Sequence, residues 1–314
     1  MPERIGIVAL DLDGTLLDSQ KRLSDANRAA LARVASEGVQ VVPTTGRFFG
    51  MMPEVVRGLP FVRYAITVNG AEVYDREGDV VVAREEIPLS EAIEVMKVLD
   101  GFDVVYDCYR NGWGWMTSSL QAKAAEYATD EHYLKMLREF RNPVPELKEH
   151  LRNTASEGDV QKIMLFSRRD GDTGDVLAAI TREVNARFPD IRVTASTRNN
   201  IELNISSAHK GRALERLAEH LGLTLANCMA FGDGMNDFTM VEAAGVGVAM
   251  ENAVDAVKRV ARVVTASNDD DGVAKVLDTL SVAAGRTPMS LDMAALRRRL
   301  SADSVCLFWP ATLW

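Results

Sequence analysis

Two aspartates directly follow the first strongly apolar stretch of the chain. The run over 5–10 predicts a strand that is buried on both faces, and Asp11 and Asp13 stand where it ends. Gly14 allows the chain to turn away behind them. An anionic carboxylate can attack phosphorus, and a neighbouring carboxylate can give a proton to the leaving oxygen or take one from water. The pair therefore favours chemistry on a phosphate ester, whereas a strand-to-turn segment that uses aspartate for its turn is the structural alternative.

Three later apolar stretches also end in polar residues. They end in Thr45-Gly46-Arg47, in Asn69-Gly70 and in the segment 233–237. Because ligands bind outside the carboxyl ends of the strands in open α/β sheets, we expect all four groups to meet at one edge. The alternative, four isolated turns rich in Asp, Asn and Gly, requires four independent accidents. The combination therefore favours a shared site.

The elements that must position these groups alternate between strands and helices. Apolar spacing predicts helices over 24–37, 210–221 and 272–280, and apolar runs predict strands over 39–42, 64–68, 228–231 and 246–250. Strand, helix and strand in succession build a parallel sheet with right-handed connections. We therefore predict an α/β fold with a doubly wound, Rossmann-like parallel sheet.

Residues 85–196 follow a different pattern. Asn111-Gly112 separates two stretches rich in aromatic residues, which is a strong hairpin signal. Hairpins predict antiparallel strands, whereas the flanking segments predict parallel ones. We therefore expect a core domain made of 1–84 and 197–284, an inserted α+β cap domain over 85–196, and a C-terminal extension over 285–314.

The extension combines a basic segment with an apolar end. Arg297-Arg298-Arg299 precede a stretch that ends at Trp314. We expect a helix that begins at Pro288, followed by an apolar strap. The strap would pack on its own domain or on a second subunit, and the second case would make the protein a homodimer. A short basic amphipathic contact with a membrane is the alternative.

The bulk composition narrows the class of protein. The net charge of −9 argues against a nucleic-acid partner, which would require a basic surface. An acidic protein that handles phosphate must supply positive charge locally, through a cation, a lysine or backbone N–H groups. The three cysteines form no Cys-x-x-Cys pair, and no apolar stretch is long enough for a signal peptide or a membrane span. We therefore expect the protein to be a cytoplasmic enzyme, and we do not expect a membrane to be its partner.

In the order and spacing of these motifs, the chain resembles the haloacid dehalogenase-like hydrolases, and among them the Cof-type phosphatases. The resemblance spans about 4–280 and rests on the order and spacing of the motifs. The matching segments are Asp11-Leu12-Asp13-Gly14-Thr15-Leu16, Thr45-Gly46-Arg47, Asn69-Gly70-Ala71, Lys210-Gly211, Gly232-Asp233-Gly234-Met235-Asn236-Asp237, Val248 to Ala253 and Ser267 to Val273. The insertion matches in position and type more than in motif.

The resemblance implies a role for each catalytic position. Asp11 would be the nucleophile that forms an aspartyl-phosphate, and Asp13 the general acid and then base. Lys210 would neutralise the phosphate and the nucleophile. Asp233 would join Asp11 and the Asp13 carbonyl in holding Mg²⁺. Asp237 would stand behind these groups and orient Lys210.

The resemblance also implies a set of phosphate and substrate contacts. Thr45 would hold the transferring phosphoryl oxygens together with backbone N–H groups. The remaining positions implied to bind phosphate or substrate are Leu12, Gly46, Arg47, Asn69 and Asn236. From the residue types alone, Arg47 could equally meet a phosphate or pair with a carboxylate of its own domain. Asn69 could serve the pocket or the turn.

Together these features predict a Mg²⁺-dependent phosphatase that acts on small phosphorylated metabolites, such as sugar phosphates and similar phosphomonoesters. The inserted cap would close over the site and select the substrate. A phosphotransferase or phosphomutase that uses the same phosphoenzyme is one alternative. A receiver-like signalling protein is the other, since receivers also place an acceptor Asp, Mg²⁺, a Thr and a Lys at the edge of a parallel sheet.

Overall fold

The computed structural model describes residues 4–169, 173–281 and 289–291. The chain divides into two compact units, a first unit from 1–84 and 209–314 and a second unit from 85–208. The second unit extends past 196, where the sequence places its end, because the strand Asn200–Ile205 pairs antiparallel with two strands of the insertion. The units are described separately below.

The first segment of the chain carries the strand that leads to Asp11. Its strands are β1 (Arg4–Ile5), β2 (Ile7–Leu10), β3 (Gln40–Pro43), β4 (Tyr64–Thr67), β5 (Glu72–Asp75) and β6 (Val80–Arg84). Its helices are α1 (Asp25–Ser36) and α2 (Glu54–Arg57), with 3₁₀ turns at Phe49–Met51 and Val68–Gly70. Every residue of β2 is buried, as expected for a strand covered on both faces.

The second unit is continuous in sequence. Its strands are β7 (Val104–Arg110), β8 (Trp113–Thr117), β9 (Asn142–Val144), β10 (Lys162–Ser167), β11 (Ile191–Thr197) and β12 (Asn200–Ile205). Its helices are α3 (Leu89–Leu99), α4 (Ser118–Gln121), α5 (Ala124–Tyr127), α6 (Glu131–Glu139), α7 (Leu147–Asn153) and α8 (Thr173–Arg187), with a 3₁₀ turn at Ala155–Glu157. The strands form one sheet in the order β11-β12-β10-β7-β8-β9. The neighbours pair antiparallel except β8 and β9, as the hairpin signals predict for most of the sheet.

The chain then returns to the first unit. This segment contains α9 (Lys210–His220), β13 (Cys228–Gly232), α10 (Phe238–Ala243), β14 (Val246–Ala249), α11 (Asp255–Val260), β15 (Val263–Val264), α12 (Gly272–Leu277), β16 (Leu280–Ser281) and β17 (Met289–Leu291). Short 3₁₀ turns occur at Leu225–Asn227 and Asn268–Asp270.

The central sheet of the first unit is parallel in the described part of the chain, in the order β15-β14-β13-β2-β3. A parallel bridge between Thr44 and Ile66 continues it toward β4. From β2 the chain first builds outward through β3 and later, on the other side, through β13 and β14. The order therefore reverses beside β2, and such a switch point is where open α/β sheets bind their ligands. This arrangement confirms the predicted α/β fold class.

The C-terminal extension departs from the prediction at the one place where the structure describes it. Met289–Leu291 is a strand, and it pairs antiparallel with β1 and with β16. A helix that begins at Pro288 is therefore wrong for these three residues, because they complete a small sheet with the start of the chain. The rest of the predicted helix and the apolar strap lie outside the described residues.

Candidate active site

Asp11 is the first residue after the central strand β2. Its N–H donates to the carbonyl of Phe231 at 3.1 Å, so its backbone is fixed by the neighbouring strand β13. Its side chain is 10% exposed. Burial, followed by the Asp237 carboxylate, raises the pKa of Asp11 well above its usual value, although Lys210 acts in the opposite direction. The carboxylate thus lies at the switch point, where burial and Asp237 disfavour its ionised form and a nearby positive charge favours it.

Lys210 supplies a positive charge to this carboxylate. Its Nζ donates to Asp11 Oδ1 at 2.6 Å and to Asp237 Oδ1 at 2.6 Å, and its side chain is fully buried. Burial alone would lower the pKa of Lys210, but the two carboxylates outweigh this and raise it. Lys210 is the first residue of α9, which begins there because His209 Nδ1 accepts the N–H of Arg212 at 3.1 Å. The lysine is therefore a charged group between two carboxylates.

Asp237 holds the loop after β13 in shape. Its Oδ1 accepts from Lys210, and its Oδ2 accepts the N–H groups of Asp233 and Gly234, both at 2.9 Å. Both carboxylate oxygens are thus engaged by donors of the protein itself. A Cβ at Gly232 would overlap Asp237, so the close approach of the strand end to this side chain requires glycine.

Asp233 faces the loop of Asp11 from β13. Its Oδ1 accepts from Thr15 Oγ1 at 2.9 Å. Burial and then the Asp237 carboxylate raise the pKa of Asp233 to about 6. Carboxylate oxygens of Asp11, Asp233 and Asp237 all lie within 4.8 Å of one another. An oxygen-only cluster of this kind suits a hard divalent cation such as Mg²⁺.

Asp13 is not one of these three carboxylates, and its own carboxylate is ion-paired. Lys21 Nζ lies 2.7 Å from its Oδ1, and Arg47 Nη2 lies 2.8 Å from its Oδ2. Burial acts to raise the pKa of Asp13, but the charges of Arg47 and Lys21 hold it below its usual value. Of the two roles considered for Arg47, the structure shows the pairing with a carboxylate, and its predicted contact with phosphate stays a prediction.

The loops after β3 and β4 are joined beside these groups. Thr45 is 3% exposed, its N–H donates to the carbonyl of Ile66, and its own carbonyl accepts from the N–H of Asn69. A Cβ at Gly46 would lie 2.8 Å from Asn69 Oδ1. Asn69 is buried and has a φ of +59°, a conformation that asparagine tolerates better than most residues. Asn69 therefore serves the turn in this structure, and its predicted pocket role stays a prediction.

The remaining predicted positions differ in burial. Leu12 is fully buried, so that only its backbone is placed to meet a phosphate. Asn236 is exposed in the loop between β13 and α10. Both are near the predicted site along the chain, and their contacts with substrate stay predictions.

Several residues that support the site carry no role in the sequence-based prediction. Thr15 binds Asp233, and Lys21 binds Asp13, as described above. The Asn252 side chain donates to the carbonyl of Gly14 at 2.7 Å, and the Asn268 side chain donates to the carbonyl of Leu17 at 2.9 Å. Asn252 Oδ1 in turn accepts the N–H of Asn268. The family resemblance includes both asparagines, but only the fold shows that they brace the loop of Asp11.

No helix within the described ranges is both long and apolar enough to span a bilayer.

Comparison with known proteins places the chain in a family. The model of the haloacid dehalogenase-like hydrolases matches residues 8–277. The phosphatase YwpJ of Bacillus subtilis is 32% identical over 293 residues, covering 87% of this chain and 99% of that protein. The 5-amino-6-(5-phospho-D-ribitylamino)uracil phosphatase YcsE of Bacillus subtilis is 30% identical over 274 residues, covering 87% of this chain and 94% of the relative.

A solved structure agrees with these relatives. The crystal structure of TM0651 from Thermotoga maritima superimposes with a TM-score of 0.73 at 28% identity, covering 89% of this chain and 98% of that one. The range 8–277 matched by the family model includes Asp11, Lys210 and Asp233. The chain belongs to the haloacid dehalogenase-like hydrolases, and it is an enzyme of their phosphatase type.

Proposed function

We propose that the chain hydrolyses small phosphorylated metabolites in a Mg²⁺-dependent reaction in which Asp11 becomes transiently phosphorylated. The observation that carries the proposal is the buried ammonium of Lys210, 2.6 Å from Asp11 and 2.6 Å from Asp237. It brings positive charge to the nucleophile in a protein whose net charge is −9. Phosphoryl transfer asks a protein mainly for such positioning and charge stabilisation.

The side chains support a two-step reaction. In the first step an oxygen of Asp11 bonds to phosphorus, the ester P–O bond breaks, and Asp13 gives its proton to the leaving alkoxide. In the second step water attacks phosphorus, Asp13 takes its proton, and the bond between Asp11 and phosphorus breaks. The ion pairs with Lys21 and Arg47 favour the ionised form of Asp13, so Asp13 must take up a proton from solvent before it can act as the acid of the first step.

Asp11 and Asp233, together with the main-chain carbonyl of Asp13, are the groups that we assign to Mg²⁺. Asp237 is left out of this set, because Lys210 and two backbone N–H groups already engage its oxygens. Burial raises the pKa of Asp11 and of Asp233, which means that the ionised pair is costly without a further cation. When bound, Mg²⁺ would offset the charge between the carboxylate and the phosphate.

The substrate class rests on the family and on the residue chemistry together. The relative YcsE is named as a phosphatase of 5-amino-6-(5-phospho-D-ribitylamino)uracil. We propose sugar phosphates and similar phosphomonoesters as substrates of this chain, with the insertion 85–196 as the cap that selects among them. Fold alone does not choose one, because specificity lies in particular side chains.

Location and partners follow from composition. The spacing of the three cysteines fits a reducing compartment, and we propose the cytoplasm. The acidic composition is the basis for proposing a small phosphate ester, rather than nucleic acid, as the partner. A homodimer stays a prediction.

A panel of phosphomonoesters with phosphate release as the readout tests the proposal. It includes p-nitrophenyl phosphate, sugar phosphates and 5-amino-6-(5-phospho-D-ribitylamino)uracil, each with Mg²⁺ and with a chelator. Asp11→Asn is the control for contaminating activity. Multiple turnovers that require Mg²⁺ are expected. A protein that keeps its phosphate without turnover would fit a receiver instead, transfer to an added sugar would make it a phosphotransferase, and no release from any ester would contradict the proposal.

A further inference from the structure

The backbone on both sides of Lys210 lies unusually close to other parts of the first unit. A Cβ at Gly70 would lie 2.5 Å from the carbonyl carbon and oxygen of His209 and 2.9 Å from the nitrogen of Lys210. A Cβ at Gly211 would lie 2.6 Å from the carbonyl oxygen of Thr239. All of these neighbours are main-chain atoms, so no rotation of a side chain could relieve the contact.

Thr239 makes the second approach a specific one. Its Oγ1 accepts the N–H of Gly211 at 3.2 Å. That N–H lies in the first turn of α9, where backbone donors have no partner within the helix. Thr239 itself lies in the first turn of α10, two residues after Asp237. The contact therefore joins the start of the helix that carries Lys210 to the start of the helix that follows Asp237.

The ammonium of Lys210 has little freedom to compensate for a shift of this backbone. It reaches two carboxylates at 2.6 Å each from a side chain that is fully buried. Gly70 constrains the backbone on the N-terminal side of Lys210. Its φ of +97° lets the turn after β4 lie in close contact with the main chain of His209. The turn after β4 thus holds the residue before Lys210, and the start of α10 holds the residue after it.

We propose that Gly70, Gly211 and Thr239 are positioning residues, which set the backbone of Lys210 so that its ammonium reaches Asp11 and Asp237 together. The proposal rests on the role of Lys210 in the proposed function. None of the three is assigned to touch the substrate. They act through the lysine.

The first test compares two glycines that share a left-handed backbone but differ in their surroundings. Gly222 follows α9, has a φ of +70°, and would place a Cβ with nothing within 4 Å. Gly70→Ala and Gly222→Ala therefore carry the same kind of backbone strain, but only the first creates an overlap next to Lys210. We expect kcat on p-nitrophenyl phosphate to fall by about 10- to 100-fold in Gly70→Ala and by less than about twofold in Gly222→Ala. Equal losses in the two variants would overturn the proposal.

The second test separates the hydrogen bond of Thr239 from its packing. Thr239→Val keeps the shape but removes the acceptor for Gly211, whereas Thr239→Ser keeps the acceptor. We expect kcat to fall by about tenfold in Thr239→Val and to stay near the parent value in Thr239→Ser, with the melting temperature recorded for both. The two Thr239 variants test the positioning of Lys210 even if Gly70→Ala does not fold. Parent-like rates in both variants, or the same loss in both, would overturn the proposal.

A third variant separates this proposal from the proposed function. Lys210→Met should lose phosphate release almost completely. If it hydrolyses the ester at the parent rate, the role of Lys210 in the proposed function is wrong, and the positioning proposal falls with it. If Lys210→Met is inactive while the Thr239 variants do not differ from each other, only the positioning proposal is wrong.

Discussion

Replacing Asp237 by asparagine tests whether the charged network around Lys210 holds the core together as well as the site. The carboxylate uses both of its oxygens, one for Lys210 and one for the N–H groups of Asp233 and Gly234. Asparagine has one oxygen and one NH₂ group. In either orientation its NH₂ group faces another donor, so that one of these sets of contacts is lost.

The burial of the partners sets the size of the effect. Lys210 is fully buried, and the Asp237 side chain is 1% exposed. Removing one partner of a buried ion pair costs about 3 to 5 kcal/mol when the other charge is left alone, but here Lys210 keeps Asp11 as a partner. We therefore expect a loss of about 1 to 3 kcal/mol, the cost of leaving buried donors without an acceptor, which lowers the melting temperature by at least about 2 °C. We also expect kcat to fall by more than about tenfold, since Lys210 then has one carboxylate to hold it.

Scanning calorimetry in the presence of a chelator measures this loss without a contribution from bound metal. Glu219→Gln is the matched control, because Glu219 lies on the same helix α9 as Lys210 and pairs with Arg216 at 3.3 Å, but is 55% exposed. An exposed pair of this kind contributes less than about 1 kcal/mol. If the melting temperature falls no further in Asp237→Asn than in Glu219→Gln, the contacts of Asp237 with Lys210 and the backbone do not stabilise the core.

Three further outcomes are expected. Asp11→Asn should abolish phosphate release while keeping the parent circular dichroism spectrum, and substantial residual turnover would assign the nucleophile to another residue. Chelation should stop hydrolysis, and Asp233→Asn should need more Mg²⁺ for half-maximal activity than the parent; an unaltered metal dependence would contradict the assignment of Asp233. Burial and Asp237 raise the pKa of Asp233 to about 6 in the folded state, so its protonated form stabilises the metal-free fold at pH values near 4 and this contribution is lost as the pH rises through 6. The melting temperature of metal-free Asp233→Asn, relative to that of the metal-free parent, should therefore rise between about pH 4 and 6. A difference between the two proteins that does not change with pH would show that the pKa of Asp233 is not raised.

Local signals were enough to predict much of the first unit. The helix predicted over 24–37 is α1, and Ser24 caps it by accepting the N–H of Asn27. The strand predicted over 5–10 is found as β2 and the short β1. These elements are set by apolar periodicity and by capping residues, both of which are visible in the sequence itself.

The insertion shows where such signals fail. Apolar residues recur at helical spacing over 120–140, but the structure has three short helices there, α4, α5 and α6. Asp130 caps α6 by accepting the N–H of Tyr133. An aspartate at this position is a sequence signal for the start of a new helix, but the apolar spacing continues across it. The strand β9 and the helix α7 were not predicted, and β9 forms by pairing with β8. Pairing of that kind depends on tertiary contacts rather than on local preference.

Part of the candidate site was also predictable from the sequence, and part was not. The sequence predicts which loops meet, because all of them follow parallel strands. The resemblance also implies that Lys210 acts on Asp11 and that Asp237 orients Lys210, and the structure places Lys210 Nζ 2.6 Å from both carboxylates. No local signal gives the partner of Thr15, which reaches Asp233 across 218 positions of the chain. Lys21, which pairs with Asp13, adopts a φ of +62°, and a residue of this type gives no warning of such a turn.

The interleaved order of the central sheet has a consequence for synthesis. Strand β2 is completed on one side by β3, which leaves the ribosome soon afterwards, but on the other side only by β13, after the whole of the second unit has been made. During that interval one edge of the strand that carries the nucleophile is uncovered, and an uncovered edge invites pairing with another chain. Nascent chains that stop before residue 228 should therefore depend on chaperones far more than the finished protein does.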